Sequence, residues 1–221
     1  AWLEKGNCNW SLKKYGIAED CWLTASEIIP KDASVWLHLG EARHHNGSYH
    51  EALLFLEKSL LCDNSKQNVE AWYGKGDTYR FAKQWSKAIE CYNEVLRLDS
   101  NFGVAMFYQA ICYGAVKKHA DAIDQYVNFI DKFPKDELVA KAWMYKAYSE
   151  NYLKKSDEAL KSCKNAFAFG TENTNKIIDK DVAWDIKFIF QEKGKALEEL
   201  EQYPDAIECY KKLLKEPEED S

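Results

Sequence analysis

The chain has 221 residues, 30 basic and 36 acidic, for a net charge of -6, and is 46% hydrophobic and 30% charged, a balance that describes a folded chain rather than a disordered one. The negative balance offers phosphate backbones no general attraction, so nucleic acid is not an expected partner. No apolar run approaches the roughly 20 residues of a membrane span, and 10 Gly with 4 Pro leave little for hairpin turns, so helix is expected throughout.

In chain order, the elements repeat. An alanine recurs at Ala18, Ala52, Ala88, Ala122, Ala159 and Ala206, at separations of 34, 36, 34, 37 and 47 residues. Sixteen residues before each stands a large apolar side chain: Trp2, Trp36, Trp72, Met106, Trp143 and Phe190. Four residues after each of those stands a small one: Gly6, Gly40, Gly76, Ala110, Ala147 and Gly194. Four residues after the alanine come Trp22, Leu56, Tyr92, Tyr126, Cys163 and Tyr210. Apolar residues recur at three- and four-residue steps within each half, which predicts two antiparallel helices per unit. The small residue of the first helix and the alanine of the second let the backbones approach, and the large side chains fill the remaining space.

Turn signals agree with this division. Asn46-Gly47-Ser48 links the helices of the second unit, and Ser48 with Glu51 predicts a capping box. Pro30 and Pro134 close whole units, and Pro204 suits the first turn of its helix. Thr171 to Asn175 reads as a loop before a long helix from about Asp179 to Leu200, and Glu216 to Ser221 as an acidic tail.

These residues resemble the tetratricopeptide repeat, with its W-x2-L-G-x2-Y, A-x3-F and P pattern over 34 residues. The third unit matches best, through Trp72, Gly76, Tyr79, Ala88 and Tyr92. The signature Leu is kept only by Leu39; Lys5, Lys75, Gln109, Lys146 and Lys193 stand there in the other units. The resemblance implies an all-α, right-handed superhelical solenoid of about six helix-turn-helix units, at about 1-32, 33-68, 69-102, 103-139, 140-172 and 179-216. It also implies a protein-binding scaffold, a single array over 1-215 whose first helices line a concave groove. Groove positions transferred from the family are Leu37, Glu41, Tyr73, Asp77, Arg80, Phe107, Ile111, Tyr145, Tyr148 and Tyr152, with Leu3, Asn7, His44, Asn151, Gln191 and Lys195 beside them. The expected ligand is a peptide or helix of another protein, held by aromatic and apolar anchors, with a basic group facing Glu41, Glu70 and Asp77. The competing expectation is packing of the same tyrosines between neighbouring first helices.

Chaperone-binding members of the family hold a carboxylate with Lys, Asn and Arg. The corresponding positions here are Leu3, Asn7, His38, Glu70 and Gly74, so no carboxylate clamp is expected. His38, His44, His45 and His50 cluster in sequence but lack the H-E-x-x-H spacing, and no metal or other cofactor is expected. Cysteines at 8, 21, 62, 91, 112, 163 and 209 form no CxxC pair and read as reduced thiols filling a cytoplasmic protein's core. No P-loop, GxGxxG or nucleophile elbow occurs, so no enzyme is expected. The run Lys193 to Glu201 reads as a solvated face. Stacking of copies through the solenoid ends, as a homo-oligomer, is the alternative to groove binding. The chain starts at Ala1 with no charged stretch leading into an apolar one and reads as a trimmed segment.

Overall fold

The computed structural model describes residues 1–62, 65–173 and 180–214. Among the described residues are twelve α-helices and no strand: α1 (Trp2–Ser11), α2 (Tyr15–Ile28), α3 (Ala33–His45), α4 (Tyr49–Leu61), α5 (Ser65–Phe81), α6 (Trp85–Leu98), α7 (Gly103–Ala115), α8 (His119–Lys132), α9 (Val139–Tyr152), α10 (Ser156–Asn173), α11 (Lys180–Glu199) and α12 (Tyr203–Leu214). They fall into two compact units, Ala1–Ala105 and Met106–Ser221.

The repeat arithmetic becomes packing. Ala18, Ala52, Ala88, Ala122 and Ala159 are wholly buried, and Ala206 nearly so. Each glycine at the aligned small position of a first helix lies under the large side chain of its own second helix. A Cβ on Gly6 would stand 2.3 Å from the Trp22 ring, on Gly40 2.6 Å from Leu56, on Gly76 2.8 Å from Tyr92, and on Gly194 2.5 Å from Tyr210. Glycine is therefore required for space at these four positions. Where the first helix carries Ala147, the second carries the smaller Cys163. The antiparallel course follows from the contacts: Gly40 meets Leu56, while His44, one turn later, meets Tyr49.

All six pairs turn in the same way. Five residues before each aligned alanine stands a residue with positive φ: Lys13 (59°), Gly47 (76°), Lys83 (57°), Lys117 (63°), Lys154 (57°) and Glu201 (58°). Its N–H and the next one donate back into the last turn of the first helix, as Lys83 N does to Arg80 O at 3.0 Å and Gln84 N to Tyr79 O at 2.8 Å. This is the Schellman closure, which satisfies carbonyls the helix end would otherwise orphan. Only at Gly47 is the residue the conformation favours present. The capping box expected from Ser48 and Glu51 does not form. Ser48 makes no side-chain cap bond, and the Glu51 carboxylate lies 3.1 Å from Arg43 Nε.

Lysine at the signature leucine position has a use. Lys5, Lys75 and Lys146 each bring Nζ over the tryptophan three residues earlier, at 4.6, 5.0 and 5.2 Å from the ring of Trp2, Trp72 and Trp143, a cation–π contact at helical spacing. The expected loop at Thr171 to Asn175 is helical as far as Asn173, because the stretch from Phe167 holds no proline and its single Gly170 costs a helix only about 1 kcal/mol. Positions 174 and 175 and the tail from Glu216 lie outside the described residues, and α11 covers the expected long helix.

Candidate functional site

The ten groove positions separate by depth. Leu37 and Phe107 correct the expectation outright, each being 2% exposed. Leu37 packs with Leu56 and Ala71, and Phe107 with Tyr126, Phe129 and Tyr145 at ring distances of 6.1, 5.7 and 6.2 Å. Both point at the large side chain of their own second helix, so neither presents surface. Tyr73 is half-buried against Tyr92 and Phe102, Ile111 is half-buried, and Tyr145 leans on Tyr126 and Phe188. These three serve packing first.

The acidic patch is also altered. Asp77 is ion-paired with Arg80 and lies 3.4 Å from His44 Nε2. His44 Nδ1 lies 3.0 Å from Thr78 Oγ1, one repeat further on. Asp77 is thus neutralised within α3 and α5 and is not held ready for a partner's base. Burial, the largest influence on His44, holds its pKa below the ordinary 6.5 against the opposing pull of Asp77. Glu41 is exposed and meets His38 at 3.3 Å. The clustered histidines diverge: His38 stacks on Trp22, His44 meets Phe81, and His45 meets Trp10 and Tyr15. Among the described residues no three metal-ligating side chains converge.

Tyr148 and Tyr152 keep 39% and 51% of their surface, on successive turns at the end of α9. Tyr152 stacks on the buried His119 ring at 3.9 Å, and Tyr148 touches His119 and Phe188. They stand at a cleft of about 560 Å³ lined also by Asn151, Glu192, Lys195, Glu198, Glu199, Glu201 and Tyr203. The floor is a polar network tying α9 to its neighbours. Glu192 is 1% exposed; its carboxylate accepts from Asn151 Nδ2 at 2.9 Å and Lys195 Nζ at 2.7 Å. Asn151 Nδ2 also donates to the Glu192 carbonyl at 2.9 Å. Behind it, Glu150, 2% exposed, pairs with Lys146 and accepts from Ser162 Oγ at 2.7 Å. Buried carboxylates persist only when so paired.

Sequence reasoning reached Tyr148, Asn151, Tyr152 and Lys195, and missed Glu192, Glu198, Glu199, Glu201, Tyr203 and His119. The missed acids lie in or beside the Lys193 to Glu201 run, whose charge pattern looks like any solvated helix face. The signal available was the repeat register, which places Lys195 and Glu198 at the same helix positions as Tyr148 and Asn151.

Among the described residues no helix is long and apolar enough to cross a membrane. Three family models of the tetratricopeptide repeat match one stretch each, residues 69–102, 104–136 and 189–220. No curated protein sequence matches the chain significantly. Among solved structures, MamA from Desulfovibrio magneticus RS-1 superposes with a TM-score of 0.69 at 17% identity, covering 82% of this chain and 93% of that one. A tetratricopeptide repeat protein from Parabacteroides merdae gives 0.72 at 14% identity, with 98% and 79% covered. YrrB, described as a tetratricopeptide repeat protein with an unusual peptide-binding site, gives 0.65 at 17% identity, with 95% and 90% covered. Matched repeats and shared fold lead to one assignment: residues 69–102, 104–136 and 189–220 are tetratricopeptide repeats, in a chain that has the fold of solved tetratricopeptide-repeat proteins.

Proposed function

We propose that the chain is a protein-interaction scaffold that takes an extended peptide or a helix of a partner protein, with the cleft between α9 and α11 as its principal seat. The observation that carries this is the pair Tyr148 and Tyr152, which remain exposed beside a cleft while Leu37 and Phe107 are spent in the core. Tyrosine offers a large, stiff, amphipathic contact area at low entropic cost. The reading treats residues 1–215 as one array of six repeats and assigns no catalysis. Peptide binding by YrrB, on the same fold, supports it. None of the seven cysteines forms a disulfide, which fits a reducing compartment such as the cytoplasm.

Selection from a displayed random-peptide library on the immobilised chain tests the reading. Enriched peptides should lose about tenfold or more in affinity for the Tyr148→Ala, Tyr152→Ala double variant. Peptides that bind the variant as tightly as the parent chain would place the site elsewhere. A second reading, self-association, is favoured by the exposure of Trp2, Leu12 and Ile17 on the first repeat, at 41%, 65% and 50%. A concentration-dependent mass in light scattering, abolished by Leu12→Ser with Ile17→Ser, would support it.

A further inference from the structure

We propose that the cleft between α9 and α11 selects a basic partner, an extended segment placing a lysine or arginine side chain between Tyr152 and the carboxylates of Glu198, Glu199 and Glu201. The inference rests on the peptide-binding reading above and adds the chemistry of the partner.

The charge of the walls argues for it first. Four glutamates line the cleft against one lysine, and Lys195 is already committed to Glu192 at 2.7 Å. Lys154 approaches Glu199 only at 3.9 Å, with both side chains exposed. Glu198 accepts from the Tyr210 hydroxyl at 3.0 Å, and neither it nor Glu201 has a cation partner among the described residues. Low-dielectric walls around like charges concentrate their field and attract the opposite sign.

A second observation is independent of charge. The side-chain oxygen of Asn151 is buried and accepts no hydrogen bond, while its nitrogen is used twice. A buried acceptor left unmet is costly, and ammonium and guanidinium groups are donors only. Tyr148 and Tyr152 add exposed ring faces on which a guanidinium stacks. An acidic segment or a free C-terminal carboxylate meets repulsion at every one of these groups.

The probes are three dye-labelled peptides of equal length, alternating leucine with arginine, glutamine or glutamate, titrated with the full chain by fluorescence anisotropy. The arginine peptide should bind at least about tenfold tighter than the glutamine peptide, with the difference shrinking as salt rises. The glutamate peptide should not saturate. Glu198→Gln with Glu201→Gln should erase the preference, whereas Glu27→Gln with Glu90→Gln, the same charge change on exposed faces of α2 and α6, should keep it. Equal loss in both variants would show diffuse attraction and overturn the assignment. If arginine and glutamine peptides bind alike and both weaken in Tyr148→Ala with Tyr152→Ala, the basic preference is refuted while the peptide-binding reading stands. If no peptide responds to the tyrosine variant, that reading fails and this inference with it.

Discussion

Gly76→Ala is the sharpest test of the packing described here. Alanine is normally the better helix residue by about 1 kcal/mol, so in open space the change should stabilise α5. At Gly76 the new Cβ would lie 2.8 and 2.9 Å from two carbons of the Tyr92 ring and 3.2 Å from a third. Tyr92 is fully buried, so its ring cannot swing into solvent, and overpacking of this kind costs about 1–3 kcal/mol. The net expectation is a loss of up to about 2 kcal/mol, against a gain of about 1 kcal/mol for Gly114→Ala in α7, where a Cβ meets nothing within 4 Å.

Urea denaturation followed by far-ultraviolet circular dichroism compares the two variants, which share the same chemical change. Their difference, about 1–3 kcal/mol, isolates the clash. Hydrogen exchange localises the loss to α5 and α6, as expected when repeats open in neighbouring units. A second cycle uses the solution found in the fifth repeat, where Ala147 faces Cys163. Tyr92→Cys should make Gly76→Ala less harmful than it is in the parent chain by about 1 kcal/mol or more. A Gly76→Ala chain as stable as Gly114→Ala, or a cycle with no coupling, would refute the claim that these glycines are held for space.

Lys83→Gly and Glu201→Gly should each stabilise the chain by about 0.5–1 kcal/mol by removing a side chain from left-handed backbone; denaturation midpoints check both. Phe107→Ala should cost about 3–5 kcal/mol as a cavity in the core, whereas the exposed Tyr148→Ala should stay within about 1 kcal/mol, measured in the same way. Burial holds both His44 and His119 below 6.5, so the unfolded chain binds more protons and stability should be full above about 6.5 and fall as pH drops through the folded values. Melting temperatures across that window should flatten in His44→Gln with His119→Gln, a variant that leaves Glu41, Asp77, Arg80 and His45 around His44 in place. Glu192→Ala should cost about 1–3 kcal/mol by removing the carboxylate that accepts from Asn151 and Lys195, and it should raise hydrogen exchange in α9 and α11.

The repeat frame was legible because it rests on residue size. A glycine or alanine spaced sixteen residues from a large side chain has one physical explanation, and all six aligned alanines are buried accordingly. The turns were legible only at Gly47. In the other five the left-handed residue is lysine or glutamate, whose composition signals nothing and whose strain is carried by the Schellman bonds around it. The capping box failed because Glu51 had a better partner in Arg43, which lies eight residues away in sequence and on the other helix. The groove was legible by face but not by depth. Residues one and five places after the signature tryptophan share a face, four apart. Leu37 and Phe107 meet the large side chains of their second helices, whereas Glu41 and Tyr148, one turn on, lie past them.

Lysine for leucine before the small residue of the first helix looks in sequence like decay of the repeat. In the structure it changes what the core can hold. Over Trp2, Trp72 and Trp143 the lysine covers the ring with its stem and keeps its charge at the edge of the core. Lys146 then meets Glu150 and Ser162 and Lys195 meets Glu192, so two carboxylates in adjoining repeats, Glu150 and Glu192, lie buried with each charge answered. Hydrophobic residues would fill those places at less desolvation cost. What the ionic version adds is direction: Asn151 and Glu192 fix one register of α11 against α9 through two bonds of 2.9 Å. That register sets Tyr148 and Tyr152 in one cleft with Glu198 and Glu199.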